Sequence, residues 1–194
     1  MMRTISAAAV AVALSAAPAS AGVTCFGEVS AGKTITATEL DDSSFAGRAT
    51  VSVDGLQGGV GIGCDVSLDR VVIGALARYE LMDLNTRIGD GNIGADAQWM
   101  LALRGGIKIN PGTLVYGLFG IAGTELSYPG LNIDPTGIVY GAGLEFDVAV
   151  QNLSMFVEWS RTELDRKNID GMTSLDPHSD TFRVGVRLKF DLAK

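Results

Sequence analysis

The sequence is poor in the residues that carry most enzyme chemistry. It has one histidine, His178, and two cysteines, Cys25 and Cys64, in 194 residues. One imidazole and two distant thiols do not make a zinc cluster. His178 is followed by Ser179 and Asp180, but neighbours on an extended chain point to opposite sides. His178-Ser179 is therefore not a ready base–nucleophile pair. Asp90-Gly91-Asn92 and the nearby Asp96 offer calcium-type oxygens, yet the full calcium-loop spacing is absent and turn chemistry accounts for the triplet. No catalytic, cofactor or metal site is assigned. Basic residues are also few: 15 Lys and Arg against 22 Asp and Glu give a net charge of −7. That balance argues against a nucleic-acid partner, which calls for a basic face. Beyond the first 21 residues there is no run of 18 apolar residues, so no transmembrane helix is expected. Hydrophobic residues nevertheless make up 47% of the chain, with 25 glycines. The apolar content must be dispersed, and its spacing carries the information.

Residues 1–21 read MMRTISAAAVAVALSAAPASA. A single early base, Arg3, a short apolar stretch and Ala19-Ser20-Ala21 have the order of an export signal with a cleavage site after Ala21. The stretch is too short and too rich in Ala, Ser and Pro to anchor across about 30 Å of hydrocarbon. Residues 22–194 then suit one domain.

Alternation dominates that domain. In Phe182–Phe190, Phe182, Val184, Val186, Leu188 and Phe190 share one face, and Arg183, Gly185, Arg187 and Lys189 the other. This is a strand with one apolar and one polar side. The same period recurs in 71–81, 98–109, 137–149 and 152–162. Residues 114–126 are apolar on both faces. Val60, Ile62, Cys64 and Val66 form a good face, but Val51 and Val53 have the opposite parity, which predicts a bulge or break near Asp54-Gly55. A first strand over about 25–38 puts Lys33 among Val29, Ala31 and Ile35. Eight strands result. Short turns at 67–70, 110–113 and 150–151 alternate with long polar connections at about 39–50, 82–97, 127–136 and 163–180. The pattern predicts an all-β fold, an eight-stranded antiparallel up-and-down transmembrane barrel with short periplasmic turns.

The face assignment separates a membrane barrel from a soluble one. The polar face carries Glu28, Asp65, Glu80, Glu145, Asp147 and Glu158, with Arg78, Arg104, Lys108, Arg183, Arg187 and Lys189. Six acids and six bases can neutralise one another in a narrow lumen filled by side chains. Glycines on the same face, such as Gly63, Gly143 and Gly185, leave room for them. With odd strands running outward, Tyr79, Trp99, Trp159 and Phe182 lie on the lipid face at the outer ends, and Phe146 and Phe190 at the inner ends. That places two aromatic girdles. A soluble lipocalin-like barrel would instead put all twelve charges outside.

Leu103-Arg104-Gly105-Gly106-Ile107, Tyr116 with Gly120-Ile121-Ala122-Gly123, Gly141-Ala142-Gly143-Leu144-Glu145-Phe146, Phe156-Val157-Glu158-Trp159 and Arg183 to Phe190 resemble the opacity-type, OmpA-like outer-membrane β-barrel family. The resemblance runs from about Gly27 to Phe190. It implies a bacterial outer-membrane location, contact with outer-membrane lipids including lipopolysaccharide, and insertion by the outer-membrane assembly machinery. Such barrels usually end on an aromatic residue, whereas here Asp191-Leu192-Ala193-Lys194 follow Phe190. Cys25 and Cys64 fall on one face of adjacent strands near the periplasmic side, where a disulfide can persist; two free thiols are the alternative.

The functional expectation is a monomeric, non-enzymatic barrel. Its role would be envelope integrity, or presentation of loops to an extracellular or host ligand as an adhesin or surface antigen. A narrow porin-like channel is the alternative. A lipid A-modifying enzyme built on His178 and Ser179 ranks third.

Overall fold

The structure, a computed structural model, describes residues 22–42, 48–88, 91–128, 131–133, 135–165, 167–168 and 173–193. The export signal and its cleavage site lie outside the described residues. Eight long strands follow one another: β1 Gly22–Asp42, β2 Arg48–Leu68, β3 Val71–Ile88, β4 Gly91–Asn110, β5 Thr113–Tyr128, β6 Thr136–Asp147, β7 Leu153–Leu164 and β8 Thr173–Ala193. Each pairs antiparallel with the next. β8 returns to pair with β1 from Val23↔Ala193 to Asp42↔Thr173, so the sheet closes on itself. Closure leaves no barrel strand with an open edge. Two short segments extend this frame: Leu131–Ile133 folds back on the end of β5, and Lys167–Asn168 pairs with β8. The fold is the predicted eight-stranded meander.

The period of two sets which side chains face out. Ile62 is 70% exposed and Leu103 67%, while Arg183, between exposed Phe182 and Val184, is buried. In water such a wall would be unstable, since apolar patches of this extent mark a contact surface. Here the wall is continuous around the barrel, as a bilayer requires. The periplasmic turns are tight. Asp69 and Asn152 adopt positive φ, 56° and 62°, a conformation that Asp and Asn tolerate. At Asn110–Thr113 the Asn110 Oδ1 accepts the Gly112 N–H at 3.0 Å.

Two expectations need correction. β2 passes through Asp54-Gly55 without a register shift against β1. The irregularities fall elsewhere, at Leu81/Leu84, Ala95/Ala97, Lys108/Asn110 and Val23/Thr24. Much of the predicted loops 39–50 and 82–97 is strand: pairing continues to Asp41↔Arg48 and Ile88↔Gly91. Backbone hydrogen bonds sustain a hairpin after the lipid pattern ends, because beyond the bilayer both faces meet water. For the same reason Val51 and Val53 need not keep the parity of Val60. After Phe190 the last strand continues through Asp191 to Ala193. Asp191 pairs with Thr24, whose hydroxyl donates to Asp191 Oδ1 at 2.8 Å.

Candidate functional site

The lumen is the site with the densest chemistry. Alternation turns Glu28 of β1, Asp65 of β2, Arg78 and Glu80 of β3, Arg104 of β4, Glu145 of β6, Glu158 of β7, and Arg183 and Arg187 of β8 inward, and all nine are buried. Of the remaining three sequence-assigned charges, Lys108 and Lys189 are half-buried and Asp147 exposed, at the periplasmic mouth. Buried charges are tolerable only when paired and hydrogen-bonded. Here both oxygens of each buried glutamate have a donor. Glu28 takes Arg78 Nε at 2.6 Å and Arg187 Nε at 2.7 Å. Glu158 takes Arg78 Nη1 at 2.7 Å and Arg183 Nη1 at 2.6 Å on one oxygen, and the Tyr116 hydroxyl at 2.8 Å on the other. Glu145 takes Arg104 Nη2 at 2.8 Å, Arg187 Nη1 and the Ser154 hydroxyl. Glu80 takes Arg183 Nη2 at 3.0 Å and Gln57 Nε2 at 3.2 Å. Every oxygen of these carboxylates thus has at least one donor, as a structural ion network requires.

Aromatic rings fill the spaces between the ions. The Arg187 guanidinium lies 4.1 Å from the Phe156 ring centre and 4.9 Å from that of Phe26. Arg104 lies 4.4 Å from the Tyr116 ring. Desolvated cation–π contacts of this kind contribute about 2 kcal/mol or more. Gly143 and Gly185 make the rings possible: a Cβ there would stand 2.5 Å from Tyr116 and 2.6 Å from Phe156. The sequence assignment missed part of this interior. Phe26, Val72, Leu76, Met100, Ala102, Leu114, Tyr116, Leu118, Ala122 and Val139 form an apolar cluster inside the barrel. The signal was present in 114–126, which is apolar on both faces. Towards the outer end the ions give way to a neutral layer of Thr34, Gln57, Gln98, Thr124, Thr162 and Thr181, all buried. Thr34 donates to Gln57 at 2.5 Å and lies 3.0 Å from the Thr181 hydroxyl.

The outer wall carries the aromatic residues assigned to the girdles. Tyr79 stands opposite Trp99, and Trp159 opposite Phe182. Tyr79, Phe146, Phe182 and Phe190 are exposed. Tyr140, not assigned to a girdle from sequence, packs edge-on against Trp159 with ring centres 6.3 Å apart. Beyond Trp159, Arg161 Nε donates to Asp180 Oδ1 at 3.0 Å, and the Trp159 indole N–H to the same oxygen at 3.2 Å. The hydrogen bond from Arg161 holds the Asp180 carboxyl below its ordinary value. Lys33 faces outward and pairs with Asp54 at 2.7 Å. Cys25 and Cys64 are register partners on β1 and β2 and form a disulfide.

The third-ranked chemistry finds no geometry. Ser179 Oγ lies 3.0 Å from Thr36 Oγ1, bridging β8 to β1. His178 occupies the opposite parity, in register with Glu163. Among the described residues no group of three His, Cys, Asp or Glu side chains could hold a metal ion. Asp90, from the loose calcium pattern, lies outside the described residues.

A closed barrel with an apolar outer wall, aromatic rims and an ion-paired interior defines a transmembrane β-barrel. The family model for the outer membrane protein beta-barrel domain matches residues 6–190, and the chain belongs to that family. It is an outer-membrane protein in contact with lipid through its outer wall. No curated protein matches the sequence. Among solved structures it is similar to Neisserial surface protein A (NspA), at 13% identity and a TM-score of 0.50, over 84% of this chain and 97% of that one. It is also similar to Ail, the attachment invasion locus protein of Yersinia pestis, at 16% identity and a TM-score of 0.47, over 84% of this chain and 99% of that one. At these identities the likeness concerns the fold alone.

Proposed function

We propose that the protein is a non-enzymatic, monomeric component of the bacterial outer membrane that supports envelope integrity and displays its outer hairpins at the surface. The observation that carries this reading is the filled lumen. Arg78, Arg187, Glu28 and Glu158 are each at most 4% exposed in mid-barrel, with the guanidinium groups of Arg78 and Arg187 5.7 and 4.1 Å from the centre of the Phe156 ring. An eight-stranded barrel has room for side chains or for water, not both.

The charge distribution supports the second half of the reading. The lumen and the periplasmic rim are close to neutral. The outer hairpins and their connections, from Lys33 and Glu39 round to Asp176 and Asp180, carry fourteen acidic and six basic residues. A surface ligand would therefore be recognised against an acidic field, which disfavours polyanions and favours a basic partner. Maturation by cleavage after Ala21, insertion by the outer-membrane assembly machinery and contact with lipopolysaccharide belong to the same proposal. The test is conductance of the purified barrel in planar bilayers. The expected result is no steady current; ion-selective channels would overturn the structural reading in favour of a pore. A hydrolytic activity lost in both His178→Ala and Ser179→Ala would overturn the non-enzymatic part.

A further inference from the structure

The outer wall carries a groove of about 640 Å³ that crosses β5, β6, β7, β8 and β1. One bank is the register row Ala142–Trp159–Phe182. The other runs from Val115 through Leu144, Val157 and Val184 to Ala31. The side chains of both banks are apolar and point away from the lumen. Gly32 and Gly143 lie between the banks and add no side chain, so backbone forms the floor there. Trp159 is fixed on its bank by the indole hydrogen bond to Asp180 and by the edge contact with Tyr140. At about 4.8 Å per strand spacing the groove is about 19 Å long. It slants across the wall. Val115 is two residues past Thr113, where β5 leaves its periplasmic turn, whereas Phe182 and Ala31 at the far end border Lys33 at the outer rim. An oblique path of that length passes through one leaflet, about 15 Å of hydrocarbon.

Charge gathers at the upper end of the groove. Lys33 is the register partner of Phe182, and the next outward positions on β7, β8 and β2 are Arg161, Asp180 and Asp54. Arg161 gives both its Nε and its Nη2 to Asp180. Lys33 and Asp54 form the looser pair, 2.7 Å apart with both side chains more than half exposed. An ammonium has three protons to give and a carboxylate about four lone pairs to offer, so this pair can take up a second, oppositely oriented pair without separating. We infer that the groove retains one zwitterionic phospholipid, with an acyl chain between the banks, its phosphate on Lys33 and its ammonium on Asp54. The lipid-facing wall on either side is continuous with the groove and supplies the occupant. A net anionic head group would set its charge against Asp54, and the acidic hairpins above add to that cost. The inference rests on the outer-membrane reading and deepens it, by naming a lipid that stays while its neighbours exchange.

The test is native mass spectrometry of the full barrel in detergent, with phosphatidylethanolamine, phosphatidylglycerol and lipid A added one at a time. One phosphatidylethanolamine is expected to stay on each barrel, and the two anionic lipids to be retained at least about threefold less. Ala142→Leu fills the groove from its bank and should abolish retention. Lys33→Ala should lower it at least about threefold. Ala77→Leu makes the same change at an outward position of β3, opposite Ile62, and should leave retention unchanged. Heat-modifiable migration is measured on every sample. Its absence in the unaltered protein would contradict the outer-membrane reading itself. With migration intact, three results would each overturn the inference alone: no retained phospholipid, retention of either anionic lipid as strong as that of phosphatidylethanolamine, or equal losses in Ala142→Leu and Ala77→Leu.

Discussion

Arg187 joins more of the lumen than any other described side chain. It bonds Glu28 and Glu145, stacks on Phe26 and Phe156, and has no exposed surface. Its removal takes the donor from one oxygen of buried Glu28, which keeps Arg78, and one of the cations from buried Glu145, which keeps Arg104. Arg187→Met is expected to destabilise the barrel by about 3–5 kcal/mol, read as a lowered urea midpoint in lipid vesicles. Lys33→Ala breaks an ion pair whose partners are more than half exposed, and should change the midpoint by less than about 1 kcal/mol. A third residue gives a pH signature. Asp180 lies beyond the girdle, its carboxyl held low by the Arg161 hydrogen bond. A carboxylate depressed in the folded state contributes stability that is complete above its ordinary value, about 3.9, and is lost as pH falls through the lower folded value. Because Trp159 donates to the same oxygen, its emission in a Trp99→Phe background should change on acidification below about pH 3.9. Asp180→Asn should remove that change.

At the scale of the strand, the sequence made legible whatever the bilayer dictates. Between the girdles one face must be apolar, so a period of two persists; β6 and β7 could be found within a few residues, and so could the periplasmic ends of β3, β4 and β8. Outside that band nothing enforces alternation. The hairpins formed by β1 with β2 and by β3 with β4 therefore continue, through backbone pairing, into stretches that read as loops. The inner face was less legible for another reason. A lumen accepts either ion pairs or apolar packing, so Leu76, Tyr116 and Phe26 could not be separated from wall residues by polarity alone. Their register opposite glycines, as with Tyr116 and Gly143, appears only once strands are paired. The cysteines were legible because the register of a meander brings Cys25 and Cys64 together. Cys64→Ser should abolish the mobility difference between reduced and oxidised samples on gels. The barrel should still form, because β1 remains paired to β2 from Gly22↔Ser67 to Asp41↔Arg48.

For the molecule as a whole, three regions divide the charge. The outer wall is apolar with a few paired ions at its rim, the lumen neutralises itself, and the outer hairpins hold the net negative charge. This division explains how a chain with 47% hydrophobic residues and a net charge of −7 can have, among the described residues, neither a water-facing coat around its middle nor a helix long and apolar enough to cross a membrane. The central claim is that the apolar wall faces lipid. Migration of outer-membrane extracts on gels, with and without boiling, tests it most directly. The folded barrel should sit in the outer-membrane fraction, run at one apparent size unboiled and shift to another on boiling. A protein recovered in the soluble periplasmic fraction, with no shift on boiling, would contradict the account.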